Sequence, residues 1–210
     1  MGRPKVPLIN RDDAIAKALE IIDAEGIDAF SIRRLGKELG VNGASLYHHF
    51  KDKDEILAGV RVTVLAEAGV LFPESKTATW IDYVTKSVLR YRSALLKHPN
   101  TAPLMVPVRV DPSNQVPRDH MVKKMIEAGV PLRLAIPIID SVETLAYGSA
   151  FVNPKQLQPN QRFVPLPSDK LPSLKKAVQS APRSPEASFR LELEALLSGW
   201  MSIIAREQAG

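Results

Sequence analysis

Residues 31–53, SIRRLGKELGVNGASLYHHFKDK, decide how this chain is read. The stretch divides into two short helical segments around a tight corner. Ser31 is placed as an N-cap, its hydroxyl available to an orphan amide of the opening turn. Leu35 and Leu39 stand four apart and share a helix face. Gly40 follows the last periodic residue, where a left-handed backbone costs least without a Cβ. Val41 then fills the corner, and Asn42-Gly43 opens a second helix expected over 43–50. Leu46 and Phe50 share a face that can lie on Leu35 and Leu39. Ser45, His48 and His49 form the opposite, polar face. Two helices joined by a Gly-containing turn, with a polar outer face on the second, are the pattern of a helix-turn-helix. Spacing alone fits an ordinary αα-hairpin in a helical core equally well.

Outward from this stretch the pattern stays helical. A first helix is expected over 11–26, capped by Asn10, with Asp12 and Asp13 at its positive end. Ile15, Leu19 and Ile22 make its buried stripe, and Gly26 ends it. Residues 1–10 read as an arm broken by Gly2, Pro4 and Pro7, carrying Arg3 and Lys5. After Asp52 a long helix is expected to about Leu71, with Ile56, Leu57, Val60, Val64 and Leu65 as its stripe. Another is expected over 78–98, stopped by Pro99. Pro103, Pro107 and Pro112 allow at most one helical turn before a helix over 113–128 that ends at Gly129. Residues 132–152 are apolar on most sides, with Pro137 placed to kink them. Seven of the chain's seventeen prolines fall in 153–185, read as a mobile loop with a short helix over 171–180. A last helix is expected over 186–206. No strand or internal repeat is visible. The class is all-α, divided as 1–53, a connector 54–71, and 72–210.

Composition narrows the function. A chain of 210 residues can bury a sizeable core. There is no cysteine, which removes disulfides and thiolate chemistry. No apolar run approaches membrane-spanning length, and the opening residues lack the apolar core of a secretion signal, so a cytoplasmic protein is expected. The net charge of +5 permits a polyanionic partner without requiring one. Its placement says more than its sum. Acids gather in the first helix, whereas Arg33, Arg34, Lys37, Lys51 and Lys53 gather at the two-helix stretch.

The run from Ile15 through Ile56 resembles the N-terminal domain of the TetR family of transcriptional repressors. The likeness rests on Ala18, Leu19, Ile22, Gly26, Phe30, Ser31, Arg33, Leu35, Leu39, Gly40, Val41, Ser45, Leu46, Tyr47, His49, Phe50, Lys53 and Leu57 at unbroken spacing. A weaker likeness to the tetracycline-repressor branch rests on Trp80, the run Arg92 to His98, Gly129, Gly148, Leu171-Pro172 and the Phe189, Leu193, Leu196, Gly199 pattern. The resemblance implies a helical effector-binding core and a homodimer joined through 132–152 and 186–206. Both segments carry apolar surface beyond what one neighbour covers, which agrees. It also implies a palindromic double-stranded operator, and a small molecule that releases it by shifting the connector.

On that basis the helix over 43–50 enters the major groove. Arg33 pairs with a guanine edge, and Gly43, Ala44 and Ser45 allow close approach. Tyr47, His48, His49 and Lys53 face phosphates or sugars, and Arg34 is a solvated or phosphate-side charge. No cofactor is implied. The branch's metal-binding positions fall at Gly69, Met105 and near Val152, which cannot hold a hard cation. The expected effector is therefore apolar, met by Trp80, Tyr83, Tyr91, Met105, Met125, Tyr147 and Phe151, with Ser87, Thr144 and Asn153 as polar contacts. Three rivals stand beside this reading. An enzyme lacks a Cys nucleophile, a Gly-x-Ser-x-Gly elbow and a phosphate loop. A metal sensor would need His98 and His120, which are isolated in sequence. An activator of the same fold has no distinguishing mark.

Overall fold

The computed structural model describes residues 10–67, 69, 79–105, 116–152, 171–182 and 184–209. The expected arm, the end of the connector, most of the loop over 153–185 and Asn153 lie outside them. Ten α-helices are described: α1 Arg11–Glu25, α2 Ile32–Glu38, α3 Gly43–Leu46, α4 Lys53–Glu67, α5 Trp80–Lys97, α6 Ala102–Met105, α7 Val116–Glu127, α8 Leu132–Val152, α9 Pro172–Ser180 and α10 Pro185–Gln208. Single 3₁₀ turns occupy Ile27–Ala29 and Pro99–Thr101. No strand occurs among the described residues. The chain falls into two compact units: Met1–Phe72 with Lys97–Gln115, and Pro73–Leu96 with Val116–Gly210. Residues 97–105 were expected with the C-terminal part; they cluster with the N-terminal one.

The reason lies in the polar side chains at the end of α5. His98 is buried and presents Nδ1 to Asp23 of α1 at 2.6 Å and Nε2 to Glu67 of α4 at 3.3 Å. Lys97 pairs with the same Glu67. Asn100 donates to the Asp23 carbonyl at 2.9 Å, and the Thr101 hydroxyl donates to the His98 carbonyl at 2.7 Å. His98 is thus a structural tie, not an isolated histidine. Apolar packing in this unit comes from Ala14, Ala18, Leu19 and Ile22 of α1 against Ile56, Val60 and Val64 of α4, with Phe30, Leu35, Leu46 and Phe50 below α2 and α3.

The corner between α2 and α3 is built as the sequence indicates. Ser31 Oγ accepts from the Arg34 amide at 3.1 Å, and Asn42 Oδ1 from the Ala44 amide at 3.1 Å. Gly40 takes φ +65°. Its amide donates to the Lys37 carbonyl at 3.3 Å, and the Val41 amide reaches back to the Gly36 carbonyl at 2.9 Å. Those two bonds make a Schellman motif, which satisfies the orphan carbonyls of α2. Gly36 is buried, and a Cβ there would stand 3.0 Å from the Val41 oxygen and 3.1 Å from the Gly43 nitrogen. The two helices cross that closely because Gly36 has no side chain.

The second unit packs α5, α7, α8 and α10 around Tyr83, Val88, Met125, Ile138, Ile139, Val142, Phe189 and Leu193. Polar ties are sunk into this core. Arg92 Nε donates to Ser149 Oγ at 3.0 Å, with its guanidinium 4.8 Å from the Phe189 ring centroid. Burial pulls that guanidinium below its ordinary pKa. Trp200 donates to Ser141 at 2.9 Å, joining α10 to α8. Arg118 of α7 holds Asp140 at 2.9 Å and Glu143 at 2.5 Å.

The corner yields a stability test. Gly36→Val, which forces branched carbon against pinned backbone, is expected to cost about 2–3 kcal/mol. Gly40→Ala, strained only by its left-handed φ, is expected to cost about 1 kcal/mol. Thermal and denaturant unfolding of the two variants checks the order; a Gly36→Val chain as stable as the parent would contradict the close crossing.

Candidate nucleic-acid interface

The expected reading helix is shorter than its sequence pattern. Regular α-helix covers Gly43–Leu46, not 43–50. From Tyr47 the amides turn to the third residue back: Tyr47 to Ala44 at 3.3 Å, His48 to Ser45 at 3.3 Å, His49 to Leu46 at 3.0 Å. This tighter winding eclipses side chains and is held only over short lengths. Phe50 then closes the turn with an amide bond to the Leu46 carbonyl at 2.9 Å, its ring buried. Phe50 stays in the core, as its apolar spacing indicates, while Tyr47 is 58% exposed and His48 is exposed.

The start of α3 lies across the start of α2. A Cβ on Gly43 would stand 3.7 Å from the Ile32 oxygen and 3.8 Å from the Arg33 Cα. Arg33 is exposed on α2 and forms no ion pair among the described residues. Arg33, Gly43 and Ala44 therefore meet at one point although ten residues separate them along the chain. Ala44 is exposed, and Ser45 and His49 are half-buried. The Lys53 ammonium stands 5.5 Å from the Phe30 ring centroid. Lys37 and Lys51 are exposed.

Arg34 behaves otherwise than expected. It is no solvated or phosphate-side charge: its guanidinium binds Glu25 at 2.6 Å and also Glu38. Both carboxylates raise its pKa. Its place one residue past Arg33 turns it toward Glu25 of α1 and Glu38 one turn further along α2 itself. Three residues that matter here were not singled out from sequence. Gly36 had a local signal, a glycine inside a helical pattern. Arg11 and Glu55 had none, because Arg11 bonds the His49 carbonyl and Glu55 across the whole domain.

The effector candidates scatter. Tyr83 and Met125 are buried, Trp80, Tyr91 and Tyr147 half-buried, and Thr144 exposed. Tyr147 stacks on Phe151 at 6.2 Å, and Phe151 is 70% exposed. Met105 is buried in the N-terminal unit. A groove of ≈ 390 Å³ runs between α5 and α10, lined by Ile81, Leu89, Leu193, Leu197 and Met201 with Arg190 and Glu194. None of the effector candidates lines it. Among the described residues no group of three or more His, Asp or Glu is placed to hold a metal ion.

Residues 14–60 match the family model described as bacterial regulatory proteins, tetR family. The tetracycline repressor protein class D of Escherichia coli is 26% identical over 194 residues, covering 91% of this chain and 89% of that protein. Apo ActR of Streptomyces coelicolor superimposes with a TM-score of 0.77 at 28% identity, over 96% of this chain and 99% of that one. ActR in complex with actinorhodin gives 0.75 at 26%, over 94% and 97%. A two-helix reading corner with outward cationic and imidazole side chains, set on a helical core, defines a DNA-binding transcriptional regulator. More narrowly, residues 14–60 match the tetR family model, and the chain as a whole is similar in its helical architecture to ActR.

Acid sensitivity follows from the ion pairs of this domain. Glu38 is held below its ordinary pKa by Arg34, Glu55 by the Lys51 amide and then Arg11, and Glu67 by Lys97. A carboxylate with a depressed folded-state pKa stabilises above its unfolded value, about 4.3, and that support is lost as pH falls through the folded value. The melting midpoint followed by circular dichroism is expected to drop below pH about 4.3, less steeply in Glu55→Gln. A midpoint constant down to pH about 2.5 would argue against these pairs.

Proposed function

We propose that the chain is a repressor: a homodimer that binds a palindromic operator and leaves it when an apolar small molecule binds the C-terminal unit. The observation that carries the DNA side is the convergence of Arg33 with Gly43 and Ala44, beside the exposed Tyr47 and His48. Small residues let backbone approach the groove floor, where Arg33 meets guanine O6 and N7. Ser45 stands with Ala44 at the close approach, and His49 and Lys53 stand at the edge near phosphates and sugars. Such a protein works in the cytoplasm beside bacterial DNA.

Support for the dimer comes from α8 and α10. Leu132 and Ile136 are 68% and 49% exposed, and Leu191 and Met201 are 57% and 49% exposed. Gly148 and Gly199 have no atom within 4 Å of a would-be Cβ, which leaves room for another helix. Apolar surface of this kind is hidden by pairing about a two-fold axis. Support for the effector comes from the aromatic content of the C-terminal unit and from ActR, whose structure holds actinorhodin. Trp80, Tyr83, Tyr91, Met125, Thr144, Tyr147 and Phe151 are the residues proposed to meet it.

Selection of bound DNA from a random pool tests the reading directly and is expected to return two inverted half-sites. Arg33→Ala should then lose about 1–3 kcal/mol of binding and relax preference at one base pair per half-site. Lys53→Ala should weaken all sequences alike and flatten the salt dependence by about one unit. Uniform loss in both, with base preference intact, would remove Arg33 from the reading role. Sedimentation of Ile136→Glu is expected to show a monomer; a dimer retained at micromolar concentration would move the interface elsewhere.

A further inference from the structure

Arg11 opens α1, 38 residues before His49, yet its guanidinium ends on the reading segment. One terminal nitrogen donates to the His49 carbonyl. The other donates to Glu55 Oε1 at 2.6 Å. The face of the cation lies over Phe50, its central carbon 4.4 Å from the ring centroid. Glu55 uses its second oxygen to accept the Lys51 amide at 2.6 Å, and its own amide donates to Asp52 at 2.9 Å. One planar group thereby joins the start of α1, the end of the reading turn and the start of α4.

Each contact constrains something different. The carbonyls at the end of a short helix have no partner within it, so the His49 carbonyl needs a donor from outside the turn, which the amide bonds of His49 and Phe50 to Leu46 do not supply. Arg11 supplies that partner at His49. The fork toward Glu55 sets the direction of the guanidinium, and the Phe50 ring sets its plane; a lysine ammonium has neither a fork nor a plane. Glu55 pairs with the guanidinium at 2.6 Å, so this arginine, although solvent-exposed, is committed to a partner within the protein.

We infer that Arg11 is a positioning residue for base discrimination: it fixes the 47–49 turn against α1, and so sets how closely Ala44 and Ser45, at the start of the same segment, approach base edges, without touching DNA itself. The inference rests on the DNA-reading function proposed above, and goes beyond it by assigning specificity to a side chain outside the two-helix stretch.

The test uses the full-length protein. Selection with the parent chain first gives the preferred half-site and the discrimination at each base pair. A parent with no preferred site would defeat the DNA reading itself, before any variant is compared. With a site in hand, affinity for single-base changes, salt dependence and melting are measured for Arg11→Ala, Arg11→Lys and Glu55→Gln. Expected for Arg11→Ala is a roughly tenfold loss of discrimination at the base pairs approached by Ala44 and Ser45. Discrimination at the Arg33 base pair and the salt slope should stay as in the parent. Arg11→Lys should recover little, and Glu55→Gln should lose discrimination in the same positions to a smaller degree. Glu55→Gln carries the test should Arg11→Ala fail to fold. A salt slope flatter by about one unit would make Arg11 a phosphate contact and overturn the inference. So would uniform weakening on all sequences in step with a lower melting point, full recovery in Arg11→Lys, or discrimination unchanged in every variant.

Discussion

The crossing of α2 over α3 at Gly36 is the constraint on which the N-terminal unit depends. Backbone meets backbone there, with the Val41 oxygen and the Gly43 nitrogen where a side chain would otherwise stand. The Schellman bonds from Gly40 and Val41 fix the corner from one side, and the Asn42 cap fixes the next helix from the other. Once the corner is that tight, Gly43 falls against the start of α2. Arg33 and Ala44 then share one location on the surface. Apolar burial of Leu35, Leu46 and Phe50 stabilises the arrangement, but it does not choose it; many packings bury three such side chains.

Charge is sorted around this corner in a way that net charge does not reveal. Arg34 is committed to Glu25 and Glu38, Arg11 to Glu55, and Lys97 with His98 to Glu67. These pairs are largely solvent-exposed, so each contributes little to stability taken alone. Their effect is on which cations remain outward. Arg33, Lys37 and Lys51 are exposed and enter no ion pair among the described residues, and they lie beside the reading turn. The same sorting holds Glu38, Glu55 and Glu67 below their ordinary pKa.

The C-terminal unit follows different physics. Its helices are held by a continuous apolar core, with single polar ties where Arg92 meets Ser149 and Trp200 meets Ser141. A buried donor without its acceptor costs more than the bond contributes when made, so these ties fix the register between helices more than they add stability. Outside that core α8 and α10 keep large apolar side chains in water, an arrangement that a solitary subunit does not need.

Much of this was legible in the residues alone. The Asn10, Ser31 and Asn42 caps, the left-handed Gly40, the helices α1, α5, α8 and α10 and the all-helical class follow from local rules acting over four or five residues. Local rules did not show that the amides of Tyr47, His48 and His49 would bond three residues back, with regular helix ending at Leu46. They could not show that Arg34, unlike Arg33, reaches Glu25 on another helix, although its pairing with Glu38 lies within the i,i+4 spacing of α2. Nor could they attach 97–105 to the N-terminal unit, since Asp23 and Glu67 are distant along the chain from His98. Sequence determines hydrogen bonds that close within a turn; which long side chains stay outward, and which are consumed internally, is decided only when separate helices bring their charges together.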